Sequence, residues 1–508
     1  MNLTIRNLGL LFLCLCIATC SLRAQKHSKN KAFEKAADKF YKTSFEDLGT
    51  IPGVSIVVVQ GEKTLYKKGF GYADVEKKLK ADAESNFYIA SSTKSFTSLL
   101  ASLLDKEGII KLDDPLSKYF PELDFPEDVP ADQIKIRDLM THTSGIDNTP
   151  IGFRVAYTGN HDFQTRLNLM KYCQANEVGH GSFSYTNVGY NIYAIILEKV
   201  TGKNWRDHLE ERIFEPLGMD RTTGYISKAE KGNWAMASPY MGRSKDNIEK
   251  VYLSKQDNTM QAAGGLITNG EDLANWLKVQ IGNGKLNGKQ IFPKAIIEEN
   301  RSMLVEGATR NPIFDGKGYG MGWQTGTYQG ETTVWHFGGF PGFLTHISYM
   351  PEKEIGVAVM VNEGIAGNRL KDLYAAFAYD YLLGKIESEE DFLEQSKELK
   401  GQLEQVKARI AKHDADLAKR TWQLSLPFKD YRGTFQNERF GKIEVKMKGK
   451  ELFMEYGNLH CIPTPYTEDD MVRVGWIPGS GRVVPFVVED GKVTGLRYLG
   501  EVFSKVEG

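Results

Sequence analysis

Three short stretches of this 508-residue chain hold residue types that could carry out acyl transfer. The first is Ser91-Ser92-Thr93-Lys94. A serine hydroxyl is a poor nucleophile until a base removes its proton, and a lysine three residues further along a helix can bring an amine within hydrogen-bonding reach of it. A helix start also offers free amide N–H groups and the positive end of the dipole, which favour an anion forming beside Ser91. The second stretch is Tyr185-Thr186-Asn187. A phenol near a lysine ammonium is favoured as the phenolate, and such a tyrosine can shuttle protons to and from a leaving group. The third is His336-Phe337-Gly338-Gly339. Glycines inside a strand mark the close approach of a backbone or ligand. Here they would let an extended substrate lie along an edge strand, with the Gly339 N–H pointing at the carbonyl under attack. Each stretch taken singly has an ordinary alternative: an N-capping serine with a solvated lysine, a rim tyrosine with a capping asparagine, and a β-bulge with a packed histidine.

The surrounding pattern supplies elements to hold these residues. Phe96, Leu99, Leu100, Leu103 and Leu104 recur at helical spacing and end at Gly108, so a helix begins at Ser91. Ile192, Ile195, Ile196 and Val200 mark another helix, which puts Tyr185 and Asn187 in the loop at its entrance. Val54 to Val59 reads as a buried strand, turned at Gly61 into Thr64–Tyr72, a hairpin. Thr345–Met350 and Gly356–Asn362 are strand-like, and Gly318–Trp323 opens a strand region. The turn Ala263-Gly264-Gly265-Leu266 leads into a helix carrying Leu273, Trp276, Leu277 and Ile281. His142-Thr143-Ser144-Gly145 is read as a tight turn closing a short helix rather than as a second nucleophile site. Leu399, Leu403, Val406, Ile410 and Leu417 mark a charged amphipathic helix, a linker or docking arm. Beyond Pro427 come six short strand-sized runs broken by glycines, which suggest a small antiparallel barrel or sandwich.

With 64 basic and 65 acidic residues, the chain shows no bias toward a nucleic-acid partner. No ligand pattern flanks Cys173 or Cys461 and no His-x-x-x-His pair occurs, so neither a metal nor another cofactor is expected. Arg6, the apolar run Leu8–Ala18 and the small-residue exit Ser21–Ala24 read as a signal peptide over residues 1–24, with a periplasmic or secreted product. Lipidation at Cys20, in Ile17-Ala18-Thr19-Cys20, is the alternative.

Taken together and in this order, the three stretches resemble the penicillin-recognising serine hydrolases, which include class C β-lactamases, D-Ala-D-Ala carboxypeptidases, D-aminopeptidases and related esterases. The resemblance covers roughly residues 35–385, and the part from Pro427 onward is similar to the lipocalin-like C-terminal domain of some members. It implies an α/β fold, with an antiparallel sheet flanked by helices and a helical lobe over residues 25–385. A helical linker over 386–426 and a small all-β barrel over 427–508 would follow. Ser91 would attack an amide or ester carbonyl, and Lys94 and Tyr185 would share the base role. The backbone N–H groups of Ser91 and Gly339 would form the oxyanion hole. Asn187, His336 and Gly338 would bind substrate, Asn187 also steadying Lys94. Class C β-lactamases carry Lys-Thr-Gly where this chain has His336-Phe337-Gly338. A histidine is charged only part of the time near pH 7, and Phe337 adds bulk near the strand. The resemblance therefore implies an exported hydrolase of small peptides with D-residues or related amides. An esterase or weak β-lactamase is the alternative, and a non-catalytic penicillin-binding sensor is the reading from another class.

Overall fold

A computed structural model of the chain describes residues 29–243, 248–386 and 389–506. The leader read over 1–24, with Cys20, lies outside them. Among the described residues no helix is long and apolar enough to cross a membrane.

The first elements are helix α1 (29–48) and strands β1 (Gly53–Gln60), β2 (Lys63–Asp74) and β3 (Leu79–Lys80). Four helices that matter for the site follow: α2 (Thr93–Glu107), α3 (Ile136–Met140), α4 (Val188–Thr201) and α5 (Gly270–Ile281). Then come β4 (Val305–Glu306), β5 (Asp315–Tyr319), β6 (Gln324–Tyr328), β7 (Glu331–Phe340), β8 (Phe343–Met350) and β9 (Ile355–Val361). Helix α6 (Gly367–Leu383) closes this part. The nine strands form one antiparallel sheet in the order β4-β5-β6-β7-β8-β9-β1-β2-β3. Both faces of β1 are buried because the sheet is covered on both sides. On one face Phe40 of α1 stacks on Phe377 of α6 at 4.4 Å. On the other, α5 packs on β1, and Phe96 of α2 stacks on Trp276 of α5 at 3.8 Å.

Strand β7 departs from expectation in two ways. It lies inside the sheet rather than at its edge. Its register with β8 also runs unbroken from Val334 opposite Tyr349 to Phe340 opposite Phe343, so the two glycines are not a bulge. Pairing with β6 nevertheless ends at Trp335, and His336–Phe340 continue past that strand. The stretch Gly320–Trp323 is the hairpin turn between β5 and β6.

Helix α7 (Glu389–Ala418) occupies most of the stretch read as a linker. It leads to β10 (Gly433–Asn437), β11 (Gly441–Lys448), β12 (Glu451–Tyr456), β13 (Leu459–Cys461), β14 (Thr464–Pro465), β15 (Met471–Val474), β16 (Arg482–Glu489), β17 (Lys492–Tyr498) and β18 (Glu501–Val506). These make a single curled antiparallel sheet, a half-barrel ordered β13-β12-β11-β10-β18-β17-β16-β15-β14. Its concave core holds Tyr456, Trp476 and Tyr498, the last two edge to face at 4.8 Å. It docks on the helical lobe, where Phe153 stacks on Tyr456 at 5.5 Å and the Asn458 N–H donates to the Thr158 carbonyl at 2.8 Å. Cys173 and Cys461 are both free thiols.

Candidate active site

Ser91 sits in a short 3-10 turn, Ala90–Ser92, that feeds directly into α2. Ala90 holds a left-handed φ of 44°, a strained conformation for a residue with a Cβ and one that recurs where a reactive side chain must be aimed. The turn is pinned by three hydrogen bonds. Ile89 N–H donates to the Leu266 carbonyl at 3.1 Å, Leu266 N–H donates to Thr93 Oγ1 at 3.1 Å, and Ser92 Oγ donates to the His336 carbonyl at 3.0 Å. A Cβ on Gly338 would lie 1.9 Å from the Ile89 carbonyl oxygen, so only glycine lets β7 approach the turn this closely.

Lys94 lies one turn on and is fully buried. Its Nζ donates to Asn187 Oδ1 at 2.6 Å and to the Ala263 carbonyl at 2.8 Å, and it stands 3.4 Å from Ser91 Oγ. Both close partners are acceptors. An uncharged amine keeps both contacts and turns its lone pair toward the Ser91 hydroxyl. Burial of the ammonium pulls the Lys94 pKa down to about 7.

Tyr185 lies beside this pair: Lys94 Nζ is 5.0 Å from its ring centre, and the Ser91 side chain acts on its hydroxyl, favouring loss of the phenol proton. The phenolate expected from a neighbouring lysine is disfavoured here. Burial pushes the phenol pKa up, outweighing the opposing influence of Ser91, while burial pulls that of the amine down, so proton affinity is lost from the amine rather than from the phenol. His336 is corrected in the same sense. It is buried, and burial followed by the nearby Lys94 brings its pKa to about 3, so it is uncharged near neutrality rather than partly charged. Its Nδ1 can only donate to the Phe337 carbonyl at 2.8 Å, which leaves Nε2 to accept from the Tyr319 hydroxyl at 3.2 Å.

Phe337 does not crowd the cleft. Strand alternation turns it to the opposite face, against His346 at 4.6 Å and under Lys371 at 4.4 Å. Gly339 is exposed, and a Cβ there would meet just the Leu344 side chain at 3.5 Å. Behind β7, Ser348, His346 and Asp372 make the contacts of a hydrolase triad, with His346 Nε2 2.6 Å from Ser348 Oγ and Nδ1 2.9 Å from Asp372 Oδ1. All three are sealed in the core and Ser348 is also bonded to Tyr379, so no substrate reaches them. Among the described residues no cluster of metal-ligating side chains occurs.

Three parts of the site escaped the sequence reading. The Ala263 carbonyl has no side chain to announce it, although the Gly-rich turn that carries it was visible. Tyr319 and His142 pack 4.8 Å apart beside Tyr185 and His336, and each was read only as part of a turn or strand opening.

A family model described as Beta-lactamase matches residues 42–381. The chain belongs to the β-lactamase family. Curated relatives of this β-lactamase-family chain include protein flp of Staphylococcus aureus (strain MW2), 29% identical over 319 residues, which are 62% of this chain and 60% of that protein. An unguisins hydrolase of Aspergillus campestris is 28% identical over 342 residues, 66% of this chain and 61% of that protein. The matches thus span about 60% of the length of these relatives. Among solved structures, the octameric penicillin-binding protein homologue of Pyrococcus abyssi aligns with a TM-score of 0.58 at 25% identity, covering 92% of this chain and 99% of that one. The D-amino acid amidase of Ochrobactrum anthropi SV3 aligns with a TM-score of 0.55 at 23% identity, covering 73% of this chain and 99% of that one. Members of this family with this fold are serine hydrolases, and the β-lactamase-type sheet here is theirs.

Proposed function

We propose that this chain is an exported serine hydrolase that forms an acyl-enzyme at Ser91 with uncharged amides or esters, amides of D-residues first among them. The carrying observation is the arrangement at Lys94: two acceptors hold the amine, its third direction faces Ser91 Oγ, and burial brings its pKa to about 7. Lys94 takes the Ser91 proton as the new C–O bond forms. The oxyanion is received by the N–H groups of Ser91 and Gly339, each worth roughly 3 kcal/mol. Tyr185, holding its proton, hands it to the departing nitrogen as the C–N bond breaks and is resupplied from Lys94. Water then adds to the acyl carbon and the acid leaves. Asn187 keeps Lys94 aimed, while His336 and Gly338 border the strand along which substrate lies.

Of the two basic side chains described above beside Ser91, neither is a permanent cation, since His336 is neutral and Lys94 loses its proton near pH 7. That favours amidase or aminopeptidase chemistry over cleavage beside a free carboxylate, as in a carboxypeptidase or an efficient β-lactamase. The fold neighbour named as a D-amino acid amidase supports the amide reading, and the relative named as an unguisins hydrolase supports hydrolysis. An esterase is the second reading, supported by a fold neighbour described as a hydrolase with promiscuous acyltransferase activity and by the same three residues. Export rests on the leader pattern, and fractionation of expressing cells tests it.

The decisive experiment offers the protein D-phenylalanine amide, p-nitrophenyl acetate and a fluorescent penicillin, and follows the adduct at Ser91 by mass spectrometry. Turnover of amide or ester, lost in Ser91→Ala, is the expected result. Rapid penicillin turnover would overturn the uncharged-substrate reading. No adduct and no turnover would favour a non-catalytic sensor.

A further inference from the structure

The His-Thr-Ser-Gly turn takes no part in the steps above, yet it lies directly against Tyr185. His142 follows α3 in a left-handed conformation, φ 62°. Its carbonyl accepts the Ser184 N–H at 2.8 Å and its Nδ1 accepts the Thr186 N–H at 3.2 Å. The two amides that flank Tyr185 in the chain therefore end on one residue. The imidazole also packs at a tilt against the Tyr185 ring, centroids 4.4 Å apart, and against Tyr190 at 5.4 Å. The turn continues the clasp: Gly181 N–H donates to the Thr143 carbonyl at 2.8 Å and Asn176 N–H to the Gly145 carbonyl at 2.7 Å. A Cβ on Gly145 would lie 2.4 Å from the Gly179 carbonyl carbon, so turn and loop meet backbone to backbone. Accepting at Nδ1 fixes the His142 proton on Nε2, which has no hydrogen-bond partner and is buried.

We infer that His142 is a positioning residue that holds the Tyr185 hydroxyl over Ser91, through the acceptor atom Nδ1 rather than through the bulk of its ring. The inference rests on the acyl-enzyme reading above. Burial, and then the charge on Lys94, keep the imidazole uncharged, so Nδ1 remains an acceptor.

Three variants separate the acceptor from the bulk. His142→Asn places an amide oxygen where Nδ1 stands and tolerates the left-handed backbone. His142→Gln carries its amide out toward the position of Nε2, and His142→Ala supplies nothing. With p-nitrophenyl acetate, single-turnover acylation is expected to fall about a hundredfold in the Ala and Gln variants, with KM within about threefold, while Asn recovers to within about tenfold. A role in packing alone would lower Asn and Gln together, since both lose the ring, and that result overturns the inference. Acylation in the Gln and Ala variants as fast as in the parent protein overturns it too. Should the Ala variant fail to fold, the Asn and Gln pair decides. Labelling of the parent protein by a fluorophosphonate is the control: absence of label at Ser91 would overturn the acyl-enzyme reading and this inference with it.

Discussion

Lys94 donates to Asn187 Oδ1 and to the Ala263 carbonyl, and both contacts survive the loss of one proton. Activity should therefore rise with pH as the amine deprotonates, with kcat/KM for a neutral ester inflecting near pH 7. No second inflection from His336 is expected between pH 5 and 8, because burial holds its pKa to about 3. Lys94→Met should lower acylation about a thousandfold and remove the inflection, as read by a pH-rate profile. Stability carries the same signature. The folded-state pKa lies below the unfolded one, so the unfolded chain binds more protons between about pH 7 and 10 and stability increases with pH across that window. Denaturant melts at several pH values should show this slope in the parent protein and lose that contribution in Lys94→Met. Ser91, Lys94, Tyr185, Asn187 and His336 could be picked out by residue type and spacing. The direction of the proton between Lys94 and Tyr185 could not, because it is set by burial, which depends on the assembled fold.

At the level of elements, the close approach of β7 to the turn that carries Ser91 sets the geometry. Gly338→Ala must push its Cβ into the Ile89 carbonyl, so it should destabilise the protein by about 1–3 kcal/mol and strongly slow acylation. Gly339→Ala meets only the Leu344 side chain at 3.5 Å and keeps its N–H, so its melting temperature and acylation rate should stay near those of the parent. Thermal melts and burst kinetics on the two variants check this contrast. A second junction lies at the start of α6. The buried Glu363 carboxylate accepts the N–H groups of Gly242, Ile365, Ala366 and Gly367, at 2.9, 2.9, 2.5 and 3.0 Å. Glu363→Ala leaves four donors without this acceptor and should cost about 3 kcal/mol or more in a urea melt, since a buried donor left unsatisfied costs about 1–3 kcal/mol. Long periodic helices such as α2, α4 and α5 were legible in the sequence, as was the hairpin of β1 and β2. Strands β13, β14 and β18 were not, because two are very short and β18 follows β17 after one tight turn.

Over the whole molecule, the half-barrel shares one continuous apolar core with the helical lobe, running from Phe96 and Ile151 to Tyr456 and Phe503. Calorimetry should therefore show the half-barrel and the hydrolase part unfolding in one transition. A chain ending at Leu426 would expose Phe153, and should bind a hydrophobic dye and aggregate where the full chain does not. The glycine-broken runs beyond Pro427 made the antiparallel half-barrel legible. How it docks was not, since the joint is made by Phe153, Thr158 and Asn458, none of them marked by any pattern.

That neither Lys94 nor His336 is a permanent cation also bears on which inhibitor would suit Ser91. A simple boronic acid can accept the Ser91 oxygen into a tetrahedral adduct that imitates the intermediate, and it brings no anion requiring a counter-charge. Such a compound should outcompete any penicillin for this serine.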